Sequence, residues 1–177
     1  MNSEFFQREL VNDKVWLRPL LCEDFDTLYQ VANDPLIWEQ HPNPDRWKES
    51  VFRNFFNGAM DSRGAYIVID KQSDKIIGST RYYDYNPENH SVFIGYSFIG
   101  RAYWGQGYNP AIKSLMLDHA FQIVDSVFFH VGIHNIRSQK AMEKLGAEKI
   151  RTLEVAYYGE PVRTNVEYLI RKEKFIL

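Results

Sequence analysis

Gly105-Gln106-Gly107-Tyr108-Asn109-Pro110 is the step on which the reading of this chain turns. A mostly apolar run, Val92 to Ile99, leads into two glycines one residue apart, and helical spacing begins at Asn109-Pro110. Glycines at 105 and 107 admit backbone conformations closed to other residues and let a ligand come close to the main chain. Asn109 suits the N-cap, and Pro110 suits the first helical position, where a missing N–H has no intrahelical partner to lose. The free N–H groups and the positive end of the helix dipole then face the turn, an arrangement that suits phosphate. The same six residues also describe an ordinary glycine turn before a capped helix, and the rest of the chain decides between the two.

Upstream, Ala65 to Asp70, Lys75 to Tyr85 and Ser91 to Ile99 read as three adjacent antiparallel strands, with turns at Lys71 to Asp74 and at Asn86-Pro87-Glu88-Asn89. Before them come a strand, Val15 to Leu20, and a helix, Glu23 to Asn33, which Asp34-Pro35 ends. Leu36 to Trp47 is irregular and reads as a loop, and Arg46 to Met60 returns to helical spacing before the exit at Ser62-Arg63-Gly64. Downstream, Ile112, Leu115, Met116, His119, Ala120 and Ile123 mark one face of a helix ending near Val124. A strand from Val127 to Ile133, a helix from Ile136 to Leu145 closed by Gly146, and a hairpin of Ala147 to Ala156 with Val162 to Arg171 complete the order βααβββαβαββ. The β-helix-β unit from Val92 to Ile133 makes its two strands parallel in one sheet. The glycine turn therefore lies at the C-terminal end of a strand, where α/β sheets bind ligands.

The chain has 177 residues, 45% of them apolar and 15% aromatic, which suits a single domain over residues 1–177. Its formal net charge of -2 and mixed signs advertise no nucleic-acid partner. Cys22 is the only cysteine, excluding an internal disulfide and any multi-cysteine zinc site, and no metal is expected. Met1 to Leu10 carries Glu4, Arg8 and Glu9 and no long apolar stretch, so neither a signal peptide nor a membrane anchor is expected and the cytoplasm is the natural location.

Four stretches together resemble the GNAT superfamily of acetyl-CoA-dependent N-acetyltransferases, in particular the branch acting on ribosomal-protein N-termini, polyamines and small amines. They are Val15-Trp16-Leu17-Arg18-Pro19-Leu20 with Glu23-Asp24; Ile94-Gly95-Tyr96; Tyr103-Trp104-Gly105-Gln106-Gly107-Tyr108; and Asn135-Ile136-Arg137-Ser138 through Glu143-Lys144-Leu145-Gly146. The resemblance implies an α/β fold (α+β): a mixed, mostly antiparallel sheet of about seven strands, splayed between the fourth and fifth, with helices on both faces. It also implies that backbone amides from Tyr103 through Trp104, Gly105, Gln106, Gly107 and Tyr108 to Asn109 hold the pyrophosphate of coenzyme A. Where the family usually has Gln or Arg, this chain has Ala102, with Arg101 beside it. Phe98, Ile99 and Gly100 would offer main-chain hydrogen bonds to the pantetheine arm, and Asn135 and Ser138 would meet the arm or its thiol end. Asn135 could equally cap the helix that starts at Ile136.

The implied reaction is direct attack of a primary amine on the thioester of acetyl-CoA, the amine being a protein N-terminus, an amino acid or a small amine. Holding both substrates in line accounts for roughly 7 to 11 kcal/mol of barrier, and a positioned base or acid adds about 10²- to 10⁴-fold. The family's usual side chains for that second contribution are missing: Phe93 stands where relatives carry Glu, and Met142 where others carry Tyr. The resemblance to the ribosomal-protein branch makes Ser138 a candidate proton donor to the leaving thiolate, and its high unperturbed pKa favours a hydrogen bond to the sulfur. Trp38, His41, Tyr82, Tyr96, His130 and Tyr157 are candidates for the amine pocket, with Trp47 and Tyr158 in the same segments; Tyr82, Tyr96, His130 and His134 are candidates for a pocket residue or a water-relayed base, against a structural or surface role for each histidine. The aromatics among them could instead be core or the contact of a homodimer. Two other readings stay open: a binding or sensing module that has lost turnover, and a dinucleotide enzyme, which would need a third glycine where Pro110 stands.

Overall fold

Alternating apolar residues build one sheet that carries the whole chain. The computed structural model describes residues 4–175, so the first three residues of the polar N-terminal stretch lie outside the described residues. Eight strands pair in the order β1-β2-β3-β4-β5-β6-β8-β7. They are β1 (Leu10–Val11), β2 (Val15–Pro19), β3 (Ala65–Asp70), β4 (Lys75–Asn86), β5 (Ser91–Ile99), β6 (Ser126–Gly132), β7 (Glu148–Ala156) and β8 (Val162–Arg171). Every neighbouring pair is antiparallel except β5 and β6, the two strands of the expected β-helix-β unit. The strand beyond the expected seven is β1, a two-residue addition opposite Leu17 and Trp16 that is too short to show alternation.

Helices α1 (Phe25–Ala32) and α3 (Glu49–Ser62) cover one face, where Phe52, Phe55, Ile67 and Phe98 form a buried cluster. The other face packs on α4 (Tyr108–Ala120), with Leu17, Ile94, Met116 and Phe129 in the larger cluster. A further helical turn, α2 (Pro35–Trp38), begins the stretch expected to be irregular. Asp34 accepts a hydrogen bond from the Leu36 N–H and Pro35 fits the first position, so the dipeptide that stops α1 also starts α2. Among the described residues no helix is long and apolar enough to cross a membrane.

Two details correct the expected entry into α4. The N-cap is Gly107, not Asn109, and Pro110 is the third helical residue rather than the first. Gly107 at φ 80° carries the chain straight from the turn into the helix. Pro110 is tolerated because the first four N–H groups of a helix have no intrahelical acceptor.

The sheet opens where expected. The parallel ladder holds only Ser91↔Ser126, Val92↔Val127 and Phe93↔Phe128, and then stops. On its other side β5 keeps pairing with β4, but where β4 advances from Ser79 to Arg81, β5 advances from Gly95 to Phe98. The extra residue is a bulge, with Tyr96 in the left-handed region at φ 52°, and it bends β5 away from β6. Close approach of β4 at this point depends on Gly78, where an added Cβ would lie 2.1 Å from the Phe98 carbonyl oxygen. Gly78→Ala is therefore expected to cost about 2 kcal/mol or more by pushing the bulged strand away, measured by urea unfolding against wild type.

Candidate active site

At the opening between β5 and β6 lies a narrow cleft of about 110 Å³ that takes side chains from both faces of the sheet. From the α4 side come Ser97, Asn109, Lys113, Asn135 and Ser138; from the opposite side come His41, Arg46, Tyr83, Tyr96, His130 and Tyr157. The cleft is thus lined from both faces of the split sheet.

The glycine turn leads directly into Asn109, which lines the cleft. Gly105 and Gly107 have φ of 71° and 80°, and a Cβ built on either would find nothing within 4 Å. Among the described residues, the N–H groups of Gly105, Gln106 and Gly107 meet no acceptor, and those of Tyr108 and Asn109 open the helix. The side chains turn elsewhere. Tyr108 is buried and donates its hydroxyl to Asp70 Oδ1 at 2.9 Å, Tyr103 packs edge-on against it, and Gln106 folds back onto the Ala102 carbonyl.

The strand end before the turn differs from expectation. The Trp104 indole donates to the Ile99 carbonyl at 2.9 Å, and the Gly100 N–H donates to the Ile77 carbonyl at 2.8 Å. Phe98 is buried beneath α1 and α3. The Ile99 carbonyl and Gly100 amide are therefore occupied within the chain, and the unpaired edge of β5 lies closer to the bulge. Asn135, also buried, caps α5 (Ile136–Lys144) by accepting from the Ser138 N–H at 3.1 Å, while Ser138 itself lines the cleft.

Of the six residues expected at the amine pocket, His41, Tyr96, His130 and Tyr157 line the cleft, but Trp38 and Tyr82 do not. Trp38 is fully buried against Phe98, its indole bonded to the Ala32 carbonyl at 2.7 Å. Tyr82 is buried on the α4 face, donating to the Met116 carbonyl; strand alternation gives the cleft its neighbour Tyr83 instead. Trp47 and His134 are exposed outside the cleft, and Tyr158 packs over Gly58 and donates to Asp61.

Two charged groups that the sequence reading passed over shape the far wall. Arg46 makes a bidentate pair with Glu160 at 2.9 and 2.8 Å, both nearly inaccessible, beside the rings of Trp38, Phe55 and Tyr157. Burial, Arg46 and Arg137 push His41 down to about 3, so it stays neutral. Glu167 accepts from His130 Nε2 at 3.0 Å and from Arg151 Nε at 2.9 Å. Burial raises the Glu167 pKa, but these hydrogen bonds outweigh it and hold the group below its ordinary value. Both acids had a signal in sequence: Glu160 beside the hairpin turn, and Glu167 alone in the apolar run Val166 to Ile170.

Comparisons with known proteins agree with this architecture. Residues 14–148 match the family described as the acetyltransferase (GNAT) domain. The uncharacterized N-acetyltransferase p20 of Bacillus licheniformis is 26% identical over 117 residues, covering 63% of this chain; the chain spans 65% of that relative's own length. A GCN5-related N-acetyltransferase from Brucella melitensis superposes with a TM-score of 0.80 at 17% identity, over 96% of this chain and 80% of that one. Mycobacterium smegmatis RimJ, solved with CoA-disulfide, gives 0.74 at 15% identity over 96% and 90%. At these identities the structural likenesses show the fold.

Lys113, a further charged residue not singled out in sequence, is buried on α4; among the described residues its hydrogen-bond partner is the Ser97 hydroxyl at 2.6 Å, and Ser97 in turn shares a hydrogen with Thr80 at 2.7 Å. Burial lowers its pKa from 10.5 to about 7. The unfolded chain keeps this proton to much higher pH, so the buried charge destabilises the fold at and below neutral pH and the penalty is relieved as pH rises from about 7 toward 10.5. The slope is at most about 1.4 kcal/mol per pH unit. Lys113→Met is expected to raise stability near pH 7 and to flatten the rise between about pH 7 and 9, read from urea unfolding at each pH.

Proposed function

The chain belongs to the GNAT acetyltransferase family, and on that premise we propose that it is an acetyl-CoA-dependent N-acetyltransferase acting on a primary amine. Both substrates bind together, and the amine attacks directly. The observation that carries this reading is the cleft at the opening of the sheet, lined by Asn109 just after the glycine turn and by the aromatic residues Tyr83, Tyr96 and Tyr157.

The residues fit the cofactor's chemistry. Unclaimed amides of the Gly105–Asn109 segment, with open space above both glycines, suit a pyrophosphate. The unpaired edge of β5 suits an extended arm carrying amides of its own. Bound acetyl-CoA supplies an activated acyl group as a thioester. Ser138, whose hydroxyl has an unperturbed pKa too high for easy donation, serves best as a hydrogen bond to the sulfur.

On the acceptor side, Tyr83, Tyr96 and Tyr157 form an apolar slot, and the nearby carboxylates are already matched: Glu160 by Arg46, and Glu167 by Arg151 and His130. A polycation would find no free counter-charge there. A protein N-terminus or a small monoamine fits this wall better.

Acetyl-CoA at about 100 times its dissociation constant is expected to stabilise the protein by roughly 2.7 kcal/mol. Thiol release should follow with at least one of a panel of N-terminal peptides, amino acids and small amines; stabilisation without release from any of them would support the sensing module instead. Gly105→Val should remain folded and lose the acetyl-CoA response, because its side chain enters the space above the turn and its φ suits only glycine. An unchanged response would place the cofactor elsewhere.

A further inference from the structure

Phe93 stands where the family resemblance implies a Glu, so a proton acceptor must be sought among its neighbours. Phe93 lies beside β6, in register with Phe128, and its ring centre is 4.7 Å from that of His130. His130 is therefore a titratable side chain next to that position, nearer than Tyr83, whose ring centre lies 5.3 Å away. Its side chain is only 10% exposed and lines the cleft.

The hydrogen bonding of His130 decides its tautomer. Glu167 already accepts from Arg151 and is held ionised, so it can only accept from the imidazole; Nε2 must carry the proton. In the neutral ring Nδ1 then has a bare lone pair, and this atom is buried with no partner among the described residues. A buried acceptor without a donor is costly unless something arrives to use it. A carboxylate that orients one ring nitrogen and leaves the other unclaimed, on a ring that lines the cleft, is the arrangement of an activated general base.

Resting on the acetyltransferase reading above, we propose that His130 is the general base of this enzyme and Glu167 the residue that positions it. His130 Nδ1 takes the proton that the acceptor amine sheds as its nitrogen bonds to the acyl carbon. The thioester C–S bond breaks with its electron pair on sulfur, and one proton returned to sulfur closes the balance. Glu167, tied to Arg151, stabilises the imidazolium formed in between. The base has in effect moved one strand across the opening, from β5 to β6.

The first test needs no acceptor. In ¹⁵N-histidine NMR of the full chain near neutral pH, assigned with His130→Gln, His130 is expected to show a protonated Nε2 and a bare Nδ1; a neutral ring protonated at Nδ1 would overturn the proposal. The second uses the amine giving the fastest thiol release. His130→Gln should lower kcat by about 10²- to 10⁴-fold while the acetyl-CoA thermal shift is retained, and added imidazole should recover roughly tenfold or more in His130→Ala. Glu167→Gln should lower kcat with little change in KM and disturb the His130 tautomer. Wild-type kcat in His130→Gln sinks the dyad and leaves acetyl-CoA binding intact, whereas a wild type that acetyl-CoA does not stabilise sinks the functional reading itself. Should His130→Gln not fold, the kcat of Glu167→Gln still decides.

Discussion

The structure depends on a hydrogen-bond ladder that stops early. Two strands in the middle of a sheet normally pair along their length, because main-chain groups left unpaired and buried are costly. Here β5 and β6 exchange partners over three residues and then part. The bulge at Tyr96 directs β5 away, and the groups around the opening are satisfied by other means: an indole on the Ile99 carbonyl, a lysine on Ser97, an asparagine on the first turn of α5. The glycine turn and the start of α4 follow directly from where β5 ends.

Charge around this opening is distributed unequally. On the far wall the buried ions come with close partners, as in Arg46 with Glu160 and in the chain from Arg151 through Glu167 to His130. Arg81, beneath the bulge, is pushed down to about 10 by burial; its guanidinium donates to the Phe55 carbonyl and sits 3.8 Å over the Tyr96 ring. On the near wall the hydrogen-bond partner of Lys113 among the described residues is a hydroxyl. Pairing a buried charge makes its removal expensive and its presence specific, whereas an unpaired one gives up its proton.

Much of the fold was legible because alternation and turn chemistry are local. The meander, the crossover helix and the final hairpin follow from strand periodicity and from glycines and prolines, and the opening of the sheet from the family resemblance. Local rules erred where tertiary contacts chose among equivalent options. Asn109 is a good cap, but Gly107 could take a positive φ and let Tyr108 be buried against Asp70. Tyr82 and Tyr83 are adjacent tyrosines, and only the register of β4 tells which one reaches the cleft. Trp38 looked like a pocket residue because aromatics in irregular segments often are, yet the turn of α2 drives it into the core. Lys113 and Glu167 were missed for the opposite reason: each is a charge embedded in an apolar pattern, and the pattern was read without its exception.

The Arg46–Glu160 pair joins residues 114 positions apart in the chain. Strands β4 and β5, the glycine turn and α4 are neighbours in sequence and can assemble from short loops. The far wall cannot close until the last hairpin returns to the segment after α2, and contacts of such separation form late. The site is therefore divided in its cost of closure: the half around the glycine turn is local in the chain, whereas the far wall depends on a contact of long sequence separation.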